Sequence, residues 1–367
     1  MPAIRLRNGM TSSGKGLPRR HTKSTLRIGM IASIILGLGA LGALLAYYDI
    51  GSVGRTVWNA GWGLAYVTLF HLVQTWFSAA AWRSVMPYHD RQPVLRFVWL
   101  RWIREGVNAL LPVAQIGGEV VGARLLAHRG VRLAVAGASV TIDLTVEMIT
   151  QILFTILGLA LLITYADDHQ IIEWTVIGIV IAASTAFGFV MAQRLGLLRL
   201  VEKLLLAMAR KWQWLGAAEA AGLHDAVLAM YRRRGALLRA GWHHSLSWLL
   251  GGAEVWLALY YLGHTVDLAQ ALVIESLGQA LKSVGFFVPG ALAVQEGGYI
   301  VVLSLFGLPP ELALALSLVK RFREVVLGLP ALAAWQWSES RRYLNGAAAA
   351  QPATARTAAI SELGGSS

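Results

Sequence analysis

The sequence predicts an all-α polytopic membrane protein with about six spanning helices and two re-entrant hairpins in inverted repeats. Of its 367 residues, 56% are hydrophobic and only 14% are charged, with a mean hydropathy of +0.57. Soluble domains carry about 25% charged residues, so lipid must be the solvent for much of this chain. Two apolar segments are also interrupted by Pro and Gly, which predicts the hairpins.

The chain divides into a basic arm, two membrane halves and a tail. Residues 1–25 form the basic arm, and the apolar run 26–48 is long enough to cross about 30 Å of hydrocarbon as an uncleaved first helix. We expect a first membrane repeat over 26–165 and a second over 171–337. The tail, 338–367, is rich in Ala, Gly, Ser and Thr and is predicted to be disordered. The predicted spans are 26–48, 57–82, 133–165, 171–192, 241–263 and 311–337.

Basic residues orient these spans. They are concentrated in the N-terminal arm, after the second span (Arg96, Arg101 and Arg104 among them) and in 193–240, whereas the loop after residue 165 is acidic. Because cytoplasmic loops carry an excess of Lys and Arg, we expect a bacterial inner-membrane protein with both termini in the cytoplasm.

The segment 193–240 is rich in Lys and Arg and contributes to the net charge of +12. Its leucines repeat at helical spacing beside basic residues, which predicts a basic amphipathic hairpin resting on anionic inner-leaflet lipids. In a membrane protein such an excess indicates lipid head groups, so nucleic acid is not an expected partner. The chain has no cysteine, which excludes disulfides and thiolate metal sites. The oligomeric state is left open.

The interrupted segments, 94–130 and 268–308, are the most informative part of the sequence. The first carries Asn108, Pro112 and Gly118-Glu119, and the second carries Pro289 and Glu296. Pro and Gly weaken a helix, and broken backbone is tolerated in a bilayer only where protein or water covers it. With the orientation above, the two hairpins enter from opposite faces, a pattern typical of transporters. The alternative is that Pro and Gly only kink ordinary spanning helices.

Charged residues lie within the apolar spans. Asp143 and Glu147 share one helix face, and the last span carries Lys320, Arg321, Arg323 and Glu324. Each bare charge at the bilayer centre costs roughly 2.5–3.5 kcal/mol, so these groups must pair or face water. We expect Lys320 to pair with Glu324, and Arg321 or Arg323 to pair with Asp143 and Glu147 across the repeat interface. A structural lock and a polar path for a lipid head group both fit this pattern.

Counting from the Gly-Gly pairs gives a register for the repeat. Asp143 lies 25 residues after Gly118, and Arg323 lies 25 after Gly298. This spacing predicts that Asp143 and Arg323 occupy equivalent positions of the two halves.

Two weaker polar stripes fit either interhelical hydrogen bonding or function. One comprises Glu275, Gln279, Lys282 and Ser283, and the other comprises His71, Gln74, Thr75 and Ser78. His244, beside His243 at a span boundary, is expected at the membrane interface.

Known enzyme motifs for zinc hydrolysis, serine nucleophiles and phosphate binding are missing. We therefore predict no catalytic residue, no cofactor and no metal. A lipid transporter is the favoured class. A lipid-modifying enzyme using Asp143 and Glu147 as acid and base, or a non-transporting scaffold of a lipid-biosynthesis assembly, stays open.

The pattern Asn108…Pro112…Gly118-Glu119…Arg124, followed by the Asp143/Glu147 helix, resembles the lysylphosphatidylglycerol-synthase transmembrane-region superfamily, also called flippase-like. Pro289, Glu296 and the Arg321/Arg323 helix extend the resemblance to about residue 340. The run from Gln115 to Leu126 is most similar to the hopanoid-cluster membrane proteins called HpnL. The resemblance implies movement of membrane lipids, in that subgroup hopanoids bound for the outer membrane. The predicted substrate path comprises Asn108, Pro112, Glu119, Arg124, Asp143, Glu147, Pro289, Glu296, Lys320, Arg321 and Arg323.

Overall fold

The computed structural model describes residues 50–111, 117–165, 173, 222–284 and 293–363, with side chains up to residue 340. In these ranges it contains ten α-helices, one short 3₁₀ turn (Tyr88–Asp90) and no strand. The helices are α1 Ile50–Asn59, α2 Gly63–Val85, α3 Val94–Leu110, α4 Gly117–Ala127, α5 Leu133–Ile163, α6 Leu223–Tyr231, α7 Arg234–Tyr261, α8 Leu268–Val284, α9 Val294–Ser304 and α10 Pro310–Leu363.

Several predicted features lie outside the described residues. These are the first span, nearly all of the fourth, the basic hairpin up to residue 221, and Pro112 and Pro289. The predicted second span, 57–82, is divided between α1 and α2 by a turn at residues 60–62.

Local sequence sets the helix ends. Pro93 precedes α3 and Pro310 begins α10, where a missing backbone N–H costs nothing because the first helical N–H groups have no partner within the helix. Gly263 follows α7 with φ of 84°, and Gly307 precedes α10 with φ of 67°. Both conformations suit glycine because it has no Cβ to clash in the left-handed region.

Three consecutive helices occur twice with matching lengths. Helices α3 and α8 each have 17 residues, and α4 and α9 each have 11. Helices α5 and α10 each begin after a five-residue connection. An 11-residue helix is about 16 Å long, roughly half the thickness of a bilayer's hydrocarbon core, so neither α4 nor α9 is long enough to cross one alone.

Helices α2 and α7 pack against each other along their lengths and run antiparallel. Gly63 near the start of α2 lies against Tyr261 at the end of α7, and Ser78 hydrogen-bonds Ser247 near its middle at 3.0 Å. The two helix triplets are α3–α5 and α8–α10. The first helix of each triplet packs on the last helix of the other, so that α3 packs on α10 and α8 packs on α5.

The contact between α3 and α10 is formed by facing glycines. A Cβ built on Gly106 would lie 3.2 Å from the Cα of Gly328 and 2.7 Å from the Cβ of Ala331. Trp102 on α3 donates its ring N–H to the carbonyl of Leu327 at 2.9 Å. The two backbones are therefore in direct contact along this seam.

Two hydrophobic cores lie at opposite ends of α2 and α7. The first contains Trp82, Phe97, Ile103, Leu126 and Ile142 together with residues of α6. The second contains Leu259, Ile274, Tyr299, Leu303 and Leu316. Each core is therefore built mainly from one helix triplet, with α2 and α7 joining the two.

The outer surface is rich in large apolar side chains. Trp58 and Trp62 are more than 80% exposed, and Leu69, Trp242 and Leu329 are at least 59% exposed. A water-soluble protein rarely shows large contiguous apolar surfaces, so this exterior suits lipid. Within the described residues, Leu133–Ile163 is the one helix that is both long and apolar enough to cross a membrane by length and composition.

Helix α10 continues to Leu363, through the segment after residue 338 whose composition predicts disorder. That segment is rich in alanine, which has the highest helix propensity of any residue.

Candidate functional site

Between the two hydrophobic cores lies a layer of buried charged side chains. Asp143, Glu254 and Lys320 are each at most 3% exposed, and Arg104 is 2% exposed. Charged side chains are almost never fully buried unless they are paired, so the partners of these groups define the site.

The first group of ion pairs, called here the α3–α5 network, comprises Arg101, Arg104, Glu105, Glu119, Asp143 and Glu147. Asp143 accepts a hydrogen bond from Arg104 at 2.9 Å and lies 3.5 Å from Arg101. Arg101 also donates to Glu147 at 2.9 Å and to Glu105 at 2.8 Å. Arg104 pairs with Glu119. Two guanidinium groups therefore hold four carboxylates from three helices.

Asn108 closes the hairpin formed by α3 and α4. Its side-chain oxygen accepts the backbone N–H of Gly118 at 2.8 Å, and its amide nitrogen donates to Glu119 at 3.3 Å. The Asn108…Gly118-Glu119 pattern of the sequence is thus a direct contact that fixes the carboxylate of Glu119 beside Arg104.

The second group, called here the α8–α10 network, comprises Glu254, Glu275, Lys282, Glu296, Lys320, Arg321, Arg323 and Glu324. Lys320 pairs with Glu275, and Arg323 pairs with Glu254. Glu324 accepts hydrogen bonds from Lys282 at 2.9 Å and from Arg321 at 3.1 Å.

Glu296 is held within the same network at the start of α9. It accepts a hydrogen bond from Ser317 at 2.9 Å and a longer one from Arg321 at 3.4 Å. Its second oxygen and both side-chain atoms of the neighbouring Gln295 have no hydrogen-bond partner among the described residues. Buried polar atoms seldom lack a partner, and those of Gln295 and Glu296 closely follow residues 285–292, which lie outside the described part of the chain.

Two histidines connect each network to the opposite half. His71 on α2 hydrogen-bonds Glu254 on α7 at 2.9 Å, and its other ring nitrogen lies 3.8 Å from Glu105. His244 on α7 hydrogen-bonds Asp143 on α5 at 3.0 Å. The expectation that His244 lies at the membrane interface is wrong, because it is 1% exposed and bound to a carboxylate.

The predicted pairing of the central charges is also wrong. Asp143 and Glu147 pair with Arg101 and Arg104 of their own half, whereas the sequence suggested Arg321 or Arg323. Lys320 pairs with Glu275 on α8 and not with Glu324. In the sequence, Arg101 and Arg104 count among the basic residues that indicate a cytoplasmic loop. The spacing of Arg101, Arg104, Glu105 and Asn108 instead places them on one helix face.

Matching the helix starts of the two triplets, α3–α5 and α8–α10, gives a register that differs by three residues from the one counted from the Gly-Gly pairs. When the starts of α4 and α9 and of α5 and α10 are matched, Glu119 corresponds to Glu296 and Asp143 corresponds to Lys320, not Arg323. The sequence carries this signal, because Glu119, Asp143 and Glu147 have the same spacing as Glu296, Lys320 and Glu324. A glycine pair is a weaker marker, since glycine is placed by local packing.

At matched positions, the two halves carry side chains of opposite charge or of opposite size. Arg101 and Asp143 correspond to Glu275 and Lys320, so the same cross-helix pair is present with its signs reversed.

Size is exchanged between α3 and α4 in the same way. Arg104 lies on Gly122 in the first half, whereas at the matched positions Tyr299 lies on Gly278. Each half therefore keeps one large side chain and one glycine at this contact.

A cavity of about 1130 Å³ lies between the two networks. Ligand pockets are typically about 300–1,000 Å³, so this one accepts a large molecule or part of one. Its lining includes polar and charged residues, among them His71, Gln74, Arg101, Glu105, Glu147 and Arg323. It also includes apolar residues, among them Met148, Ile152, Leu159, Leu277, Leu281 and Leu305. The cavity is therefore amphipathic.

The structure brings most of the predicted path residues to this cavity. Asn108, Glu119, Glu147, Arg321 and Arg323 line it. Asp143, Glu296 and Lys320 lie behind its wall as partners of lining residues. The two predicted polar stripes, at His71–Ser78 and Glu275–Ser283, line it as well.

Arg124 does not lie at the cavity. It pairs with Glu339 of α10 at 3.2 Å, near the end of the described side chains. Sequence reasoning also missed Glu254, a lone carboxylate in the span 241–263, although an acid inside an apolar span is itself a sign of a functional or paired site.

Asp143, Glu147 and His244 have ligand atoms within 4.8 Å of one another, the spacing of a metal site. Arg101 and Arg104 already hold both carboxylates, and two guanidinium groups would repel a cation at that point. We therefore assign no metal to this cluster.

Comparison with protein-family models adds the decisive observation. The model described as lysylphosphatidylglycerol synthase TM region matches residues 30–331. The chain belongs to this family. Its membership confirms the predicted all-α membrane class and the resemblance to this superfamily, while the number of spans and the hairpins stay predictions. No curated protein and no solved structure matches the chain.

Proposed function

We propose that this protein translocates a lipid across or from the inner membrane. The observation that carries the proposal is the amphipathic cavity, in which charged and apolar side chains line one volume of about 1130 Å³. A lipid needs both surfaces at once, because its head group must be hydrogen-bonded while its chains stay out of water.

The head group is assigned to the charged lining residues. Arg101, Glu147, Arg321 and Arg323 line the cavity, and Asp143 and Lys320 pair with lining residues. The lipid chains are assigned to apolar lining residues such as Met148, Ile152 and Leu281. Each half contributes residues of both kinds, so we infer that a rearrangement of one half against the other would change which side of the cavity is open.

The inverted-repeat arrangement belongs to this proposal. Antiparallel packing of α2 on α7 and the matched lengths of the triplets support it, as does the shortness of α4 and α9. We place the basic end in the cytoplasm, where Arg233 donates to the carbonyl of Met86 at 2.9 Å and Arg83 donates to that of Gln92 at 2.9 Å. Burial and the nearby guanidinium groups of Arg83 and Arg233 lower the pKa of Arg91 in this arginine cluster.

Hopanoids are the proposed lipid class, on the resemblance of the run from Gln115 to Leu126 to the HpnL subgroup. The proposed host is a bacterium with an inner membrane, and anionic inner-leaflet lipids are proposed to contact the segment 193–240.

The test is the lipid composition of separated inner and outer membranes from a strain lacking this protein. We expect one lipid class to be made at its normal level but to be depleted from the outer membrane. Complementation with Asp143→Asn or Arg323→Gln should fail to restore it. Losing one partner of a buried pair costs about 3–5 kcal/mol, more than the ~1.4 kcal/mol that corresponds to a tenfold effect.

Matched controls are Asp225→Asn and Arg96→Gln, which remove the same charges from exposed positions away from the cavity. Both should complement fully, and all variants must reach wild-type abundance in the membrane. Normal lipid distribution in the deletion strain contradicts the proposal. Loss of a modified lipid from both membranes would instead assign Asp143 and Glu147 to an enzyme.

A further inference from the structure

The charges around the cavity do not balance. Among the described residues, the α3–α5 network has four carboxylates, Glu105, Glu119, Asp143 and Glu147, but only two cations, Arg101 and Arg104. The α8–α10 network has four carboxylates and four cations. Two negative charges in this buried layer therefore have no permanent counter-charge within the part of the chain that the structure describes, which is unfavourable in a low-dielectric environment.

Two histidines occupy the places where the missing positive charge belongs. His244 lies on Asp143, and His71 lies between Glu254 and Glu105. Histidine is the side chain whose charge changes near neutral pH, so a proton on each would balance the layer.

His71 is the one of the two that cavity water can reach. Both histidines line the cavity, but the side chain of His71 is 19% exposed, whereas that of His244 is only 1% exposed. Glu105, the neighbour at 3.8 Å, is the more exposed of its two carboxylate partners at 32%. A proton can therefore pass between cavity water, Glu105 and His71 without opening the core.

The charged groups facing His71 come from three helices. Glu254 on α7 hydrogen-bonds one ring nitrogen, and Glu105 on α3 faces the other. Arg323 on α10 is bound to the far oxygen of Glu254. Helix α5 meets α2 through the hydrogen bond from Trp82 to Ser139, and its acids are held by arginines of α3.

From this arrangement we propose that His71 is the proton-binding site through which the protein couples lipid movement to the proton gradient. The proposal rests on the proposed function and adds its energy source. His71 on the first half binds Glu254 of the second, so gain or loss of its proton changes a contact between halves. When the imidazole is neutral, Glu105 loses a positive neighbour and the cavity gains negative charge, which alters the balance between the cavity's open forms.

The first experiment counts protons on the purified full-length protein in phosphatidylcholine–phosphatidylglycerol vesicles. Potentiometric titration between mildly alkaline and mildly acidic buffer is compared for wild type, His71→Gln and His89→Gln. His89 is the control because its side chain is 81% exposed in a loop. Infrared difference spectra record the imidazolium and carboxylate bands of the same samples.

We expect His71→Gln to lose an imidazolium signal together with the carboxylate change of Glu254 and Glu105. His89→Gln should lose an imidazolium signal, with at most the change of its loop partner Asp90 at 3.1 Å, and should keep the carboxylate change that depends on His71. If the spectra of His71→Gln and wild type coincide, His71 does not exchange a proton and the proposal falls. This measurement needs no transported lipid, so it decides the proton site even for a variant that moves none.

The second experiment uses the same vesicles with nitrobenzoxadiazole-labelled phosphatidylglycerol as the probe and the membrane potential clamped at zero. We expect a pH gradient to shift the probe between leaflets in wild type and in His89→Gln, in opposite directions for opposite gradients. The shift should vanish in His71→Gln.

The outcomes separate the two claims. Probe movement that is indifferent to the gradient overturns the coupling proposal and leaves lipid translocation standing. An equal gradient response in wild type and His71→Gln overturns it too. If no probe moves but the titration difference is present, the proton site stands and translocation of this lipid is contradicted.

Discussion

Arg104 shows how one side chain is fixed by all of its neighbours. Its guanidinium holds Asp143 and Glu119, and it stacks on the ring of Trp82 with the charge 4.6 Å from the ring centroid. Gly122 provides the space in which its aliphatic part lies. A buried ion pair is weak evidence for net stability, but removing one partner leaves an uncompensated charge and is strongly destabilising.

We therefore predict that Arg104→Gln lowers the free energy of unfolding by about 3–5 kcal/mol. Arg96→Gln on the same helix, where the arginine is exposed and contacts Gln92, should stay within about 0.5 kcal/mol of wild type. Thermal unfolding in detergent, followed by tryptophan fluorescence, measures both. Equal melting temperatures for the two variants would show that Asp143 and Glu119 do not depend on Arg104.

For single residues, the sequence predicts which charged side chains lie in the site better than it predicts their pairing partners. Asp143, Glu147, Lys320 and Arg323 are conspicuous because charges inside apolar spans are costly. Their partners are harder to predict, since pairing depends on how helices distant in sequence are packed. The sequence alone does not predict the buried ion pair of Arg101, because an arginine near a span end fits a cytoplasmic loop and a buried pair equally well.

At the scale of the element, the matched triplets solve the same packing problem with exchanged parts. The contact between α3 and α4 needs one large side chain and one glycine, as does that between α8 and α9. Arg104 and Gly122 supply them in the first half, and Tyr299 and Gly278 supply them in the second. Complementary volume is thus kept although the residue type at each matched position differs.

We predict opposite effects for two glycine-to-alanine changes, because a large side chain lies against one glycine and not against the other. Gly278→Ala places a methyl group against the ring of Tyr299 and should cost about 1–3 kcal/mol of unfolding free energy. Gly241→Ala on α7 makes only ordinary contacts, at 3.9 Å to Thr150 and Val146, and should stabilise the helix by about 0.5–1 kcal/mol. Denaturant or thermal unfolding of the two variants checks the difference. Stabilisation by both would show that α8 and α9 are farther apart than described.

The bounds of several helices can be predicted from the sequence. The apolar segments 94–130, 133–165 and 268–308 correspond closely to α3 with α4, to α5, and to α8 with α9. Prolines and glycines mark their ends because those residues act on the local backbone. The register counted from the Gly-Gly pairs differs by three residues from the one given by the helix starts, because Gly118 and Gly298 serve different contacts.

For the whole molecule, the proposed inverted arrangement predicts which loops lie on the same face of the membrane. If the α3–α4 and α8–α9 pairs each enter and leave the membrane on one side, the connections flanking a pair must be accessible from that same side. The described loops supply suitable positions at Tyr88, Arg129, Leu268 and Pro309, all of them exposed.

We predict that single cysteines at Tyr88 and Arg129 react with a membrane-impermeant maleimide from the cytoplasmic face only. Cysteines at Leu268 and Pro309 should react from the opposite face only. The chain has no natural cysteine, so each variant carries one reactive site. Labelling of Tyr88→Cys and Arg129→Cys from different faces would mean that α3 and α4 together cross the membrane, and the re-entrant model would be wrong.

The family and the helical class could be predicted from the sequence because composition and short motifs determine them. The cavity could not, since its lining residues come from eight of the described helices, many of them far apart in the sequence. Its charge imbalance was hidden for the same reason, because Arg101 and Arg104 first had to be placed inside the protein.

The facing glycines of α3 and α10 have a mechanical consequence. Interlocked side chains resist sliding, because each must leave its groove before the helices can move. Gly106 and Gly328 bring the two backbones together, with Ala331 packed on Gly106 and Leu110 packed on Gly328. Any movement of α3 along α10 must therefore release Leu110, Ala331 and the hydrogen bond from Trp102 to Leu327, so this seam resists sliding.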